Sequence, residues 1–268
     1  FSMTVSNVLV LGKAKTGTTV ISKTIQHSLP HAIFHMEPRD IGFFENNQNI
    51  NPKYPQVIKI IFEHWSDRPN LRKAIIYNEL SMKFSHVISI IRDPRDEIIS
   101  RLFYFIYPYI NNNNNADIKN KVYEWIEIIK KKEQSPSSIS FREMMIKVKK
   151  LFNHDLASNI SLTNQYINFI EDNKKRLFMV RYEDFIQNKI SDMTDFLGFK
   201  LTSSRNVDEI TRTIRTCSFN NWKKYFLQED VEYFKNILGK QIQTLGYSDW
   251  ELEQVDHLNP RSEEHTSE

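Results

Sequence analysis

The stretch Asn7–Thr19, NVLVLGKAKTGTT, sets an apolar run, Val8–Leu11, against a loop bounded by Gly12 and Gly17, and a helix-like segment, Thr18–Ser28, follows. A short apolar run ending in glycine reads as a buried parallel strand, and strand, loop and helix in that order read as a phosphate cradle. The loop departs from a Walker motif, G-x-x-x-x-G-K-[ST]. Gly12 and Gly17 have the Walker spacing, but Thr18 stands where the lysine belongs, and the basic residue, Lys15, lies inside the loop. A lysine there addresses a different oxygen from one on the first helical turn, which points away from nucleotide hydrolysis. Backbone N–H groups of Thr16, Gly17, Thr18 and Thr19 would face a concavity at the helix N-terminus, where the dipole favours an anion.

Outward from this loop, further short apolar runs at Ala32–Phe34, Ala74–Tyr77, Val87–Ile91 and Leu177–Val180 alternate with longer segments suited to helices. That alternation predicts an α/β fold of three layers, α/β/α, around a mostly parallel sheet. Ala116–Asn173 reads as mostly helical with a break at Ser135–Ser138, and Val231–Leu245 reads as a late amphipathic helix. The asparagine run Asn111–Asn115 is too polar and turn-prone for a regular element and is expected to be a mobile loop. No repeat at a fixed period is present.

The chain has 268 residues, 40% hydrophobic, enough for one sizeable core, and a single domain over residues 4–250 is expected. Phe1–Met3 and Arg261–Glu268 read as remnants foreign to the fold. Lysine and arginine total 36 against 33 acidic residues, and a net charge of +3 argues against nucleic-acid coating. The single cysteine, Cys217, excludes an internal disulfide framework and fits a reducing, cytoplasmic compartment. No apolar run approaches the ~20 residues of a membrane span, and with the first strand beginning almost at the start of the sequence no signal peptide is expected within it. Basic runs at Lys130–Lys132 and Lys147–Lys150 read as solvated helical faces, with an acidic saccharide partner as the alternative.

A second phosphate-binding candidate lies in Ile90–Arg101, IIRDPRDEIISR, where Arg92 ends a strand and Ser100 follows on the next helix. An arginine fork matches a phosphate and serine adds a donor. The two segments together resemble the sulfotransferases that use 3'-phosphoadenosine 5'-phosphosulfate (PAPS). The K-[ST]-G-T-T loop of that family has its counterpart in Lys15, Thr16, Gly17, Thr18 and Thr19, and its arginine followed eight positions later by serine in Arg92 and Ser100. Tyr182, Glu183 and Asp184 match the Y-E-D sequence of the cytosolic branch. The R-K-G-x-x-G-D-W-K segment corresponds to Arg215–Lys223, with Thr216 and Cys217 replacing its lysine and glycine. The resemblance implies that the first loop binds the 5'-phosphosulfate and that Arg92 and Ser100, with Tyr182, Arg215, Thr216 and Cys217, complete the cofactor site. Val20 replaces the tryptophan that stacks on adenine in the cytosolic branch, so adenine packing there is not carried over.

The resemblance also implies sulfuryl transfer from PAPS to a hydroxyl or amine of a small-molecule or saccharide acceptor, releasing PAP. Such a transfer needs in-line positioning and stabilisation of the leaving phosphate, a role for Lys15, and no divalent metal is required. The acceptor still needs a base. Glu37 in FHMEP, Phe34–Pro38, resembles the glutamate before proline of carbohydrate-modifying sulfotransferases and is the first candidate. Glu79 in AIIYNEL, Ala74–Leu80, is the second, aligned with the histidine of the cytosolic K-T-H-L; His35 and His64 are weaker candidates. Phe103, Tyr104, Phe105, Tyr107 and Tyr109 read as core packing for at least half of the group, or as an acceptor wall. A P-loop small-molecule or nucleoside kinase and an inactive PAP-binding scaffold are the alternatives.

Overall fold

The computed structural model describes residues 6–46, 50–111, 115–202 and 219–260. Arg215, Thr216 and Cys217, the middle of the asparagine run, and both terminal remnants lie outside the described residues. The chain divides into two compact units, residues 1–93 with 165–218 and residues 94–164 with 219–268.

The first unit is α/β. Its five strands, β1 (Val8–Gly12), β2 (Ile33–Met36), β3 (Gln56–Ile61), β4 (His86–Ile91) and β5 (Phe178–Arg181), form one sheet in the order β2-β3-β1-β4-β5. Every pairing is parallel. A parallel sheet needs both faces covered, and the sequence supplies that: β1 is apolar and buried throughout, β3 is buried throughout and apolar but for Gln56 and Lys59, and β4 is buried beyond His86. Alternation along a strand sends Val8 and Val10 to one face. There they join Ile21 and Ile25 of α1 (Thr18–Ser28), with Tyr182 and Phe185 of α2 (Tyr182–Ile186) and Met193 and Leu197 of α3 (Ser191–Leu197). Leu9, Leu11, Ile58 and Ile60 fall on the other face and are fully buried as well. Each such side chain contributes roughly 1.5–3 kcal/mol by leaving water. Tyr166 ties its hydroxyl to the carbonyls of Ile90 at 2.6 Å and Leu11 at 3.3 Å.

One expected element differs, and one strand was not expected. Ala74–Tyr77 is not a strand: Pro69 at the first helical position starts a helix, α4 (Pro69–Ile76), and the apolar run is its buried last turn. The strand beside β1 is β3, whose apolar run is interrupted by Lys59.

The second unit contains the helices α5 (Pro94–Tyr104), α6 (Ala116–Gln134), α7 (Phe141–Phe152), α8 (Trp222–Tyr225) and α9 (Gln228–Gln243). Asn115, the end of the asparagine run, caps α6 by accepting the Asp117 N–H at 2.9 Å. Phe103 is buried and packs edge-on against Tyr225, whereas Tyr104 is exposed. Asp230 is fully buried near the start of α9 and accepts N–H bonds from Leu227, Phe141 and Arg142 at 2.8–2.9 Å. Lys132, expected on a solvated face, is instead fully buried, and its Nζ donates to Pro136 O and Ile139 O at 2.7 Å. The break after α6 folds the chain back over this side chain; Lys147, Lys149 and Lys150 are exposed as expected.

Burial lowers the Lys132 pKa to about 8 from 10.5, against the opposing pull of Asp230. Between those values the unfolded chain holds the proton more tightly than the folded one, so Lys132 makes stability rise with pH through that window. Denaturant unfolding of wild type and Lys132→Met from pH 7.5 to 10.5 is expected to show a difference that grows in favour of wild type, by up to about 1.4 kcal/mol per pH unit. A flat difference would show that the buried ammonium carries no such cost.

Candidate active site

In a parallel sheet all strands end at the same edge. Lys15 follows β1, Glu37 follows β2, Arg92 follows β4 and Tyr182 follows β5, so topology alone gathers them at the C-terminal edge. The loop between β1 and α1 makes a tight reversal there. Gly17 is the N-cap of α1 with φ 84°, and Lys15 also has positive φ, 65°. Only glycine is comfortable at the first position for a second reason: a Cβ on Gly17 would lie 2.2 Å from Cδ2 of the Tyr182 ring. Thr16 turns inward, its hydroxyl donating to Lys13 O at 2.7 Å. Arg92, on the far side, donates from Nη1 to Lys15 O at 3.2 Å, and its guanidinium carbon lies 5.4 Å from the Tyr182 ring centroid. Arg92 and Asp93 are buried rather than a surface ion pair, and the Asp93 N–H donates to Glu183 Oε1 at 2.7 Å.

Two residues that sequence reading passed over complete this edge. Lys59 is 5% exposed at the middle of β3, in register with Val10 of β1 and Met36 of β2. Sharing the face of Val10, its stem runs beneath α1, and Nζ donates to Thr19 Oγ1 at 2.6 Å and lies 3.7 Å from Glu37 Oε1. Burial lowers its pKa, the Glu37 carboxylate opposes that, and the charges of Lys15 and Lys23 add to the depression. The sequence signal was a lysine inside an otherwise apolar run, QVIKII. Glu63, just past β3, accepts the Ala14 N–H through both carboxylate oxygens at 3.0 and 3.3 Å and so fixes the start of the loop.

The two candidate bases are separated by the sheet. Glu37 has φ 54°, and its N–H donates to Lys59 O at 2.8 Å, extending the β2–β3 pairing into the site. Glu79 is exposed after the C-terminal turn of α4, in the connection that leads into the start of β4. It therefore belongs to the opposite edge, where Ser85 bonds to Asn7 ahead of β1. A cavity of about 480 Å³ opens at that edge among Asn7, Tyr54, Gln56 and Lys83, and none of the predicted site residues lines it. His35 is engaged by Gln56 Oε1 at 2.6 Å. Val20 packs against the core cluster.

In the second unit, Ser100 is buried on α5. One turn earlier the buried Asp96 accepts N–H bonds from Asn220 at 2.8 Å and Trp222 at 3.0 Å, and Arg95 lies 3.9 Å over the Trp222 ring. The surviving tryptophan of the R-K-G-x-x-G-D-W-K segment is thus a buried anchor.

The sequence model of the sulfotransferase domain matches residues 6–250. The chain belongs to the sulfotransferase family. Among solved structures, mouse sulfotransferase SULT7A1 complexed with PAP is 16% identical, covering 91% of this chain and 86% of the mouse chain with a TM-score of 0.50, a likeness of fold. No curated protein sequence matches the chain. Among the described residues of this sulfotransferase, no helix is long and apolar enough to cross a membrane.

Gly17→Ala places a methyl group in the Tyr182 ring on a left-handed backbone. We expect a loss of about 2 kcal/mol or more, lowering the melting temperature of a sulfotransferase of this size by roughly 4–8 °C. Calorimetric unfolding measures it, and a variant as stable as wild type would contradict the packing described.

Proposed function

We propose that the protein transfers the sulfuryl group of PAPS to a hydroxyl or amine of an acceptor and releases PAP. In this reading the acceptor oxygen or nitrogen attacks sulfur, the bond from sulfur to the bridging oxygen breaks, and that oxygen leaves with the 5'-phosphate. Lys15 and the N–H groups of Thr16–Thr19 meet the charge that grows on the leaving phosphate, and Glu37 takes the acceptor proton. The observation that carries the reading is Lys59, whose ammonium joins Thr19 of the anion loop to Glu37 within one short span. Burial and the charges of Lys15 and Lys23 disfavour the Lys59 ammonium, Glu37 opposes them, and a phosphosulfate would add a second anion beside it.

The base is Glu37 rather than Glu79 because Glu37 shares the sheet edge with Lys15. The lysine of the cytosolic K-T-H-L element is better matched by Lys59 than by Tyr77, and Ile61 then stands at the histidine position, unable to accept a proton. The 3'-phosphate roles of Arg92 and Ser100 rest on their spacing, and those of Arg215, Thr216 and Cys217 on the resemblance. Tyr182 holds the loop in shape through Gly17. PAP in the mouse relative supports the choice of cofactor.

Calorimetric titration is expected to show PAP binding more tightly than ADP with magnesium; the reverse order would favour a kinase. With PAPS and a panel of phenolic and saccharide acceptors, Glu37→Gln is expected to lower kcat by about 10²–10⁴ while leaving PAP affinity near wild type. An unaffected kcat would remove Glu37 from the role, and Glu79→Gln would then be the variant to show the loss.

A further inference from the structure

Immediately beyond Glu37, Pro38 leads to Arg39, an exposed residue whose guanidinium is held in place. Its Nη2 donates to His64 Nε2 at 2.8 Å. Arginine can only donate, so His64 accepts at Nε2 and carries its hydrogen on Nδ1. Burial and the Arg39 charge both keep the His64 pKa below the ordinary histidine range, which preserves it as an acceptor. The backbone is pinned as well. Arg68 donates from Nη1 to Arg39 O at 3.0 Å and from Nη2 to His64 O at 3.1 Å, while its guanidinium stacks 4.1 Å over the buried Trp65 ring.

What this scaffold lacks is an anion. Arg39 meets no carboxylate at ion-pair distance among the described residues: Asp40 spends an oxygen on the Gly42 N–H, and Asp67 lies against Arg68. An exposed arginine whose fork is held by His64 and whose backbone is held by Arg68 is preorganised for an anion rather than a freely solvated surface charge. Its place decides what the anion belongs to. Two residues of chain span at most about 7 Å, and His64, at the tip of the fork, also feels the charge of Glu37.

We propose that Arg39 recognises an anionic group, a carboxylate or a sulfate ester, on the acceptor, close to the hydroxyl that Glu37 deprotonates. This rests on the assignment of Glu37 as the base. The acceptor class is then an acidic molecule, such as a uronic acid or an already sulfated sugar, and neutral phenols and alcohols are poor substrates. His64 and Arg68 are positioning residues that orient the fork.

The test compares matched probes on the full chain with PAP present: p-nitrophenyl β-glucuronide, the corresponding 6-O-sulfated glucoside, and the neutral glucoside. Calorimetric titration is expected to show at least one anionic probe binding about tenfold or more tightly than the neutral one, the scale of a charge-assisted hydrogen bond. Which of the two binds separates carboxylate from sulfate recognition. Arg39→Ala is expected to erase that preference while PAP affinity, measured on the same sample, stays unchanged and reports an intact fold. Equal affinities, no binding of any probe, or a preference that survives in Arg39→Ala overturns the proposal. Failure of wild type to bind PAP would instead strike the cofactor reading, and the probe comparison without PAP still decides the role of Arg39.

Discussion

Gly17 turns left-handed directly against the Tyr182 ring, and the geometry of the loop between β1 and α1 depends on that contact. The ring leaves no space for a Cβ, the backbone reverses at φ 84°, and α1 can start at Thr18 with its N–H groups directed out of the sheet edge. Tyr182 is placed by β5, the last strand among the described residues, so the loop near the N-terminus is completed only when the fifth strand has docked beside β4. Lys15, forced to positive φ, is secured from the other side by Arg92 through its carbonyl. Strain at Lys15 and at Glu37 is concentrated where the sheet edge meets the proposed reactants, and the surrounding packing holds it there.

Charge is distributed to match. Lys59 is buried where water cannot solvate it well, and among the described residues the carboxylate paired with it is Glu37, at 3.7 Å. Lys15 and Lys23 raise the local cost of the positive charge further. The same edge carries Glu63, whose carboxylate is engaged with a backbone N–H of the loop. In the proposed reaction Lys15 and Lys59 face the phosphosulfate and Arg39 faces the acceptor.

The elements that were legible in the sequence are those whose signal is local. Gly12 and Gly17 bracketing Lys15 announced the loop, the amphipathic run Thr18–Ser28 announced α1, and Ser135–Ser138 announced the break after α6. Ala74–Tyr77 misled because a buried last turn of helix and a buried strand look alike over four apolar residues; Pro69, the helix-starting residue, was the discriminating signal. β3 was overlooked because Lys59 broke its apolar run, the very feature that gives it a place in the site. Lys132 was misjudged for a related reason: its partners are carbonyls of the chain that folds back after the break, and composition carries no record of them.

The sequence by itself determined the alternating α/β order and the form of the loop between β1 and α1, since each is written in residue type and short spacing. Tertiary structure decided which carboxylate stands with the loop. Glu37 and Glu79 are equivalent as residues, each following an apolar run, and nothing local separates them. Parallel strand order puts one at the C-terminal edge and the other at the opposite edge, and the buried Lys59 reaches only the first. That choice depends on register between strands far apart in the chain, which no single segment encodes.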